Sequence, residues 1–168
     1  MRRWSALTVS LWLAACATTA PAPIPLEGIP ATFRMAGRLS VAHQGSGEII
    51  RLAWDRRPAS DTWTVLSPVG SELARIERGE RGVQVLRPGE APLAAASLGD
   101  VTSALLGVAI DERLLLAWLH GRPAPGPGGW EVVIEPATDG SGVARRVTAA
   151  SGETTLRLVV DRYEVLSP

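Results

Sequence analysis

The residues able to do nucleophilic or acid–base chemistry are few and poorly spaced for it. There are two histidines, His43 and His120, and one cysteine, Cys16. His43 ends a strand-like run and His120 ends a helix-like run, so both read as surface or helix-end residues. The run Gly45-Ser46-Gly47 is too short for a G-x-S-x-G nucleophile elbow and reads as a hairpin turn. All 17 basic residues are Arg. Without Lys there is no Walker A loop and no Schiff-base chemistry. The acids are scattered, and two His with one Cys offer no metal site. Arg145-Arg146 reads as a solvated strand face, with a small anion patch as the alternative. Zero formal net charge and no basic stripe argue against a nucleic-acid partner. The expectation is a protein that is not an enzyme and needs no cofactor.

Cys16 is different, because its surroundings imply a covalent modification. Met1-Arg2-Arg3 is a short positive start. Trp4 to Ala15 is an apolar run of about a dozen residues, short of the ~20 that span a bilayer. Leu13-Ala14-Ala15-Cys16 then resembles the bacterial lipobox, in which the Cys is lipidated and the signal is cut before it. Ala15-Cys16-Ala17 also satisfies an ordinary small-x-small cleavage site. The lone Cys has no disulfide partner in its own chain, and it directly follows the apolar run, which favours lipidation. Ala17 in place of Asp points to the outer membrane. Residues 1–15 are thus read as a signal peptide and residues 16–32, "CATTAPAPIPLEGIPAT", as the lipidated Cys and a flexible tether. Residues 33–168 are read as one folded domain, for which 46% hydrophobic and 20% charged residues supply a core.

Within that domain the period is mostly two. "FRMAGRLSVAH" places Phe33, Met35, Leu39 and Val41 on one face and Arg34, Arg38 and Ser40 on the other. "EIIRLAWD" does the same with Ile50, Leu52 and Trp54 against Arg51 and Asp55. "TWTVLS", "ELARIER" and "VQVLR" follow, separated by turns. The period then changes. Ser97, three residues before Asp100, starts one short helix in the manner of a capping box. Asp111 and Gly121 bracket a second, with Leu114, Leu115, Trp118 and Leu119 on one side. After the breaker "RPAPGPGG" come "WEVVIEP", "VARRVTA" and "TTLRLVVDRYEVL", the last continuous or bent near Asp161. The fold class is mostly β with short α-helices. The simplest packing is a curved antiparallel sheet with the helices across its concave face, around a core or a cavity.

Two features remain. Trp54, Trp63, Trp118 and Trp130 either pack the core or line a cavity; their spacing does not separate the two. Ser67-Pro68-Val69-Gly70-Ser71 is a turn with Pro68 and Val69 central and Gly70 fourth, as a type I turn requires. It leaves an apolar side chain at the tip. Scattered apolar surface residues are common, so Val69 by itself demands no function.

Together, "GRLSV", "LAW", "W-x-V-x-S-P-x-G-x-x-L-A-R-I", "LLG", "AWLHGRPAP" and "LRLVVDRYEV" resemble the LolB family of outer-membrane lipoprotein receptors, from about Phe33 to Val165. "SPVGSELARI" and "AWLHGRPAP" are the most specific. The resemblance implies an open, half-closed β-barrel with helices covering an apolar cavity. It implies a monomer, lipid-anchored on the periplasmic face of the outer membrane. Its partners would be the periplasmic carrier LolA and the acyl chains of cargo lipoproteins. The wall would include Leu39, Val41, Leu52, Trp54, Trp63 and Val65 from the strands and Leu115 and Trp118 from the cover. Val69 stands where the family carries an apolar residue, typically Leu, that protrudes and inserts cargo into the bilayer. Two stretches depart from the family: Pro125 to Trp130 is Gly/Pro-rich, and Pro136 to Gly142 is short, which implies a reduced C-terminal wall. The competing expectation is a structural or partner-binding envelope module of similar fold, its cavity filled by its own side chains.

Overall fold

The computed structural model describes residues 24–124, 126 and 129–167. Cys16 and the signal region lie outside the described residues. Nine antiparallel strands form one sheet: β1 (Phe33–His43), β2 (Ser46–Arg57), β3 (Ser60–Leu66), β4 (Glu72–Gly79), β5 (Gly82–Leu86), β6 (Leu93–Ala95), β7 (Glu131–Pro136), β8 (Ala144–Ser151) and β9 (Thr154–Val165). The spatial order is β6-β5-β4-β3-β2-β1-β9-β8-β7. The chain therefore crosses over once, between β6 and β7, and the two helices lie in that crossover: α1 (Leu98–Leu106) and α2 (Glu112–Leu119). This is the expected half-closed barrel with a helical cover.

The alternation decides the faces. Phe33, Met35, Leu39 and Val41 of β1 are buried while Arg34 and Arg38 are exposed. Gly37 has a specific reason. A Cβ there would lie 2.4 Å from the Val159 carbonyl oxygen. That close approach accompanies a bulge: Ala36 pairs with Arg162 but Gly37 with Val160, leaving Asp161 as an extra residue. So β9 is continuous and irregular at Asp161, and the displaced carboxylate takes Arg38 at 2.9 Å. Strands β7, β8 and β9 are all present, and residues 136–142 lie at the end of β7 and in the loop to β8, so no wall strand is lost there. Strand β6 was not among the expected elements.

Both helices begin as their caps dictate. The Ser97 hydroxyl accepts from the Asp100 amide at 3.1 Å and donates to the Asp100 carboxylate at 2.9 Å. Asp111 accepts from the Arg113 amide at 2.7 Å. At the end of α2, Gly121 donates to Trp118 and Arg122 to Ala117, the paired bonds of a Schellman motif with Gly121 left-handed at φ 71°.

One polar cluster joins sheet to cover. Asp61 has a fully buried carboxylate. It accepts from Trp54 Nε1 at 2.8 Å, from Arg56 at 3.1 Å and from Arg78. Glu112, the first residue of α2, takes Arg56 and Arg78 at 2.8 Å each. Three strands and a helix thus meet on two carboxylates and two guanidinium groups.

The N-terminal segment gives a correction. Residues 24–32, expected to be free tether, lie against the body. Ile24, Leu26 and Ile29 pack on the core, and the Arg122 guanidinium donates to the Pro25 and Glu27 carbonyls. Apolar residues between the prolines make this possible, and the Pro/Ala/Thr composition concealed it.

Removing one partner of a buried ion pair costs about 3–5 kcal/mol, because the other is left uncompensated. Asp61→Ala is expected to lose about that much, and Asp61→Asn less, since an amide oxygen still accepts the Trp54 N–H. Urea denaturation followed by tryptophan fluorescence measures both.

Candidate functional site

The inner rows of β1 to β4 run from the Asp61 cluster toward the Ser67–Ser71 turn. Near the cluster, aromatic rings fill the space. Phe33 meets Trp54 edge-on at 5.1 Å and Tyr163 at 5.2 Å, and Trp54 lies 5.5 Å from Trp63. Toward the turn the side chains become smaller and aliphatic, and the space between sheet and helices is no longer filled. An apolar chamber of about 220 Å³ results.

Five of the eight expected wall residues share this chamber: Leu39, Leu52, Trp63, Val65 and Leu115. The other three do not. Trp54 is 2% exposed and turned to Asp61. Trp118 is 1% exposed, packs edge-on against Trp130 at 5.8 Å and donates to the Ala124 carbonyl at 3.0 Å. A buried indole N–H seeks an acceptor, and these two acceptors lie away from the chamber. Val41 is buried beside a separate shallow groove that His43, Gln44 and Leu105 also line.

Sequence reasoning missed several wall residues. Leu156 and Leu158 of β9 close one side, a contribution that their alternation in "TLRLVV" signals. Leu98, Thr102 and Leu105 present α1 to the chamber. Thr102 is held by its own bonds, accepting from the Ile110 amide at 2.8 Å and donating to the Gly99 carbonyl at 3.1 Å. Ring contents are otherwise apolar, apart from Glu48 and Arg87. Trp63 Nε1 is buried with no hydrogen-bond partner among the described residues.

The turn has the expected form. Gly70 N–H donates to the Ser67 carbonyl at 2.9 Å, and the Ser67 amide to the Ser71 carbonyl at 2.8 Å. Among the described residues Gln44 is the sole non-glycine residue with positive φ, so Val69 cannot be the third residue of a type II turn. Gly70, at φ 95°, takes the strained position instead. Val69 is 89% exposed. Val65 and Leu73, which flank this turn, both line the chamber, so tip and chamber lie at the same end of the sheet.

His120 fixes the opposite end. Its Nδ1–H donates to the Leu116 carbonyl at 2.9 Å, which leaves Nε2 to accept from the Tyr163 hydroxyl at 2.9 Å. Burial lowers the His120 pKa, with Arg122 and Arg56 adding to the effect against the Leu116 bond. Burial also pushes Tyr163 up to about 12, which keeps its phenol a donor.

A half-barrel of antiparallel strands, wrapped around an apolar chamber and covered by two short helices, is the class of protein that these features define. It is similar to a LolA-superfamily protein from Nitrosomonas europaea, with a TM-score of 0.54 over 83% of this chain and 88% of that one, at 10% identity. The family model described as outer membrane lipoprotein LolB matches residues 31–139. The outer-membrane lipoprotein LolB of Chromobacterium violaceum is 28% identical over 98% of this chain and 99% of its own. That of Thiobacillus denitrificans is 30% identical over 74% and 69%. The chain belongs to the LolB family of outer-membrane lipoproteins.

The His120 shift has a defined sign. The unfolded side chain titrates near 6.5, and the folded one resists the proton to a lower pH. Its contribution is fully present above the unfolded value and is lost as pH falls below it. Thermal midpoints of the wild type are expected to drop between pH 7 and pH 5.5, more than those of His120→Gln. Parallel curves for the two would remove His120 from the account.

Proposed function

We propose that this protein is an outer-membrane receptor that takes lipoproteins from a periplasmic carrier of the LolA type and releases them into the membrane. One observation supports this above others: an apolar chamber lies at the same end of the sheet as a turn that exposes Val69. The chamber would hold acyl chains and the turn would meet the lipid. A cavity filled by its own side chains, as a purely structural module would have, fits the 220 Å³ chamber less well.

The energetics suit passive transfer. An acyl chain of about 15 methylenes gains about 12 kcal/mol on leaving water, at ~0.8 kcal/mol per CH₂. Free passage through water is therefore excluded, and the chain must move from one apolar site to the next. A bias of ~1.4 kcal/mol at each step gives tenfold preference. The chamber is smaller than the about 300–1,000 Å³ of sites for drug-sized ligands, so cargo must widen it. The cover is suited to that on one side. Glu112 ties α2 to the sheet, whereas no ion pair among the described residues ties α1.

Cys16 is proposed as the lipidated first residue of the mature chain. Intact-mass spectrometry of the membrane fraction is expected to give a chain starting at Cys16 with added lipid mass. A soluble chain cut elsewhere would refute the anchor.

Val69→Glu tests the transfer itself. The turn is expected to persist, because Pro68 and Gly70 still set its backbone. A charge at full bilayer depth costs up to ~3 kcal/mol, and less at the interface. The variant should accept lipoprotein from the carrier and deliver it to liposomes at least several-fold more slowly. Equal delivery by the two proteins at matched concentration would make Val69 an ordinary surface residue.

A further inference from the structure

The segment 24–32 is bound to the body by a built contact. Arg122 directs its guanidinium at two carbonyls of the strap, those of Pro25 and Glu27, while Ile24, Leu26 and Ile29 pack on the core and Thr32 accepts from the Leu166 amide at 3.2 Å. Arg122 itself is placed by the Schellman motif that ends α2. The strap runs into β1 at Phe33, which pairs with Arg56, and its free end at Ile24 is held at the same end of the sheet, because Arg122 follows His120, whose ring lies 5.4 Å from Phe33. That is the end closed by the aromatic rings and the Asp61 cluster.

Val69 lies at the other end. Strand β1 covers the distance: Phe33 pairs with Arg56 and Val41 with Glu48. Continuing the β2–β3 register past Arg51 and Leu66 brings residue 69 level with Glu48. At 3.3–3.4 Å per residue, the Phe33 end of the sheet, where the strap is held, and the level of the tip are about 27 Å apart. Ile24 lies eight residue steps beyond Cys16. Fully extended, they reach at most about 26–29 Å. A docked strap therefore lets the tip meet the anchoring membrane only with the tether pulled taut. Phe33 lies seventeen residue steps beyond Cys16. With the strap free they reach about 56–61 Å, and the tip meets the membrane without strain.

We propose that the Arg122 surface is a dissociable docking site for this chain's own segment 24–32, and that it sets which end of the domain faces the membrane. Docked, the strap holds the closed end toward the anchor and leaves the chamber facing the periplasm, where cargo arrives. Released, it lets the domain turn and bring Val69 to the lipid. This rests on the proposed lipidation of Cys16 and on the proposed role of the tip.

The test uses full-length lipidated protein in vesicles of phosphatidylethanolamine and phosphatidylglycerol, with an environment-sensitive dye at Val69→Cys; the Cys16 thiol is occupied by its lipid. Three chains are compared. One is otherwise wild type, one carries Arg122→Ala, and one has a Gly/Ser insertion as long as the strap between Ala17 and Thr18. The insertion leaves every described contact in place, so it stands if Arg122→Ala unfolds. The dye is expected to report little lipid contact in the first chain. Contact should rise about tenfold with Arg122→Ala, the change expected on losing charge-assisted hydrogen bonds. It should rise comparably with the insertion. Amide exchange of residues 24–29 should quicken in Arg122→Ala but not with the insertion. Equal, strong lipid contact in all three chains overturns the strap mechanism and leaves the tip reading intact. No lipid contact in any of them overturns both.

Discussion

A carboxylate with no access to water governs this structure. Asp61 cannot be buried as a charge unless cations come to it, and Arg56 and Arg78 do. Each guanidinium then has donors to spare, and Glu112 takes them from the first turn of α2. The helix is thereby fixed over one end of the sheet. Trp54 gives its N–H to the same carboxylate, which draws the large rings to that end. What the rings occupy there, they leave unoccupied at the other end. The chamber follows from where the charge is satisfied.

The strands, the two helix starts and the turn were legible because each rests on local rules. Period-two alternation settled the faces of β1 and β2, and Ser97 and Asp111 cap as short polar residues do. The wall was less legible. Leu39, Leu52, Trp63, Val65 and Leu115 meet at the chamber, but Trp54 and Trp118 obey a different rule, the search of an N–H for an acceptor. Alternation says which way a residue points and not which end of the sheet is filled. Asp61 was invisible as an organiser, because its partners lie on β2, β4 and, through their guanidinium groups, α2. The strap was hidden by its composition, and β6 by its length of three residues.

The two helices cover the chamber unequally, and this gives the fold a stiff side and a compliant side. Ion pairs and the His120–Tyr163 bond hold α2 at both ends. Helix α1 contributes Leu98, Thr102 and Leu105 to the chamber through side chains whose contacts are apolar or internal to its own loop. Apolar contacts are non-directional, so α1 can slide without breaking a bond of fixed geometry. An expanding ligand would be accommodated there at least expense of structure.

A half-barrel keeps two free margins that a closed barrel abolishes, and their chemistry bears on life at a crowded surface. One margin is β6, only three residues long. The other is β7, which begins at Glu131, carries Glu135 and ends at Pro136. Short length, charge and Pro are the devices that discourage a neighbouring chain from adding its own strand. Molecules tethered to one leaflet meet in two dimensions, at local concentrations well above those in solution. Under that condition an unguarded margin would polymerise, and the open side of the sheet would become the seam of a fibril. The acids and the proline on β7 are what allow the sheet to remain open.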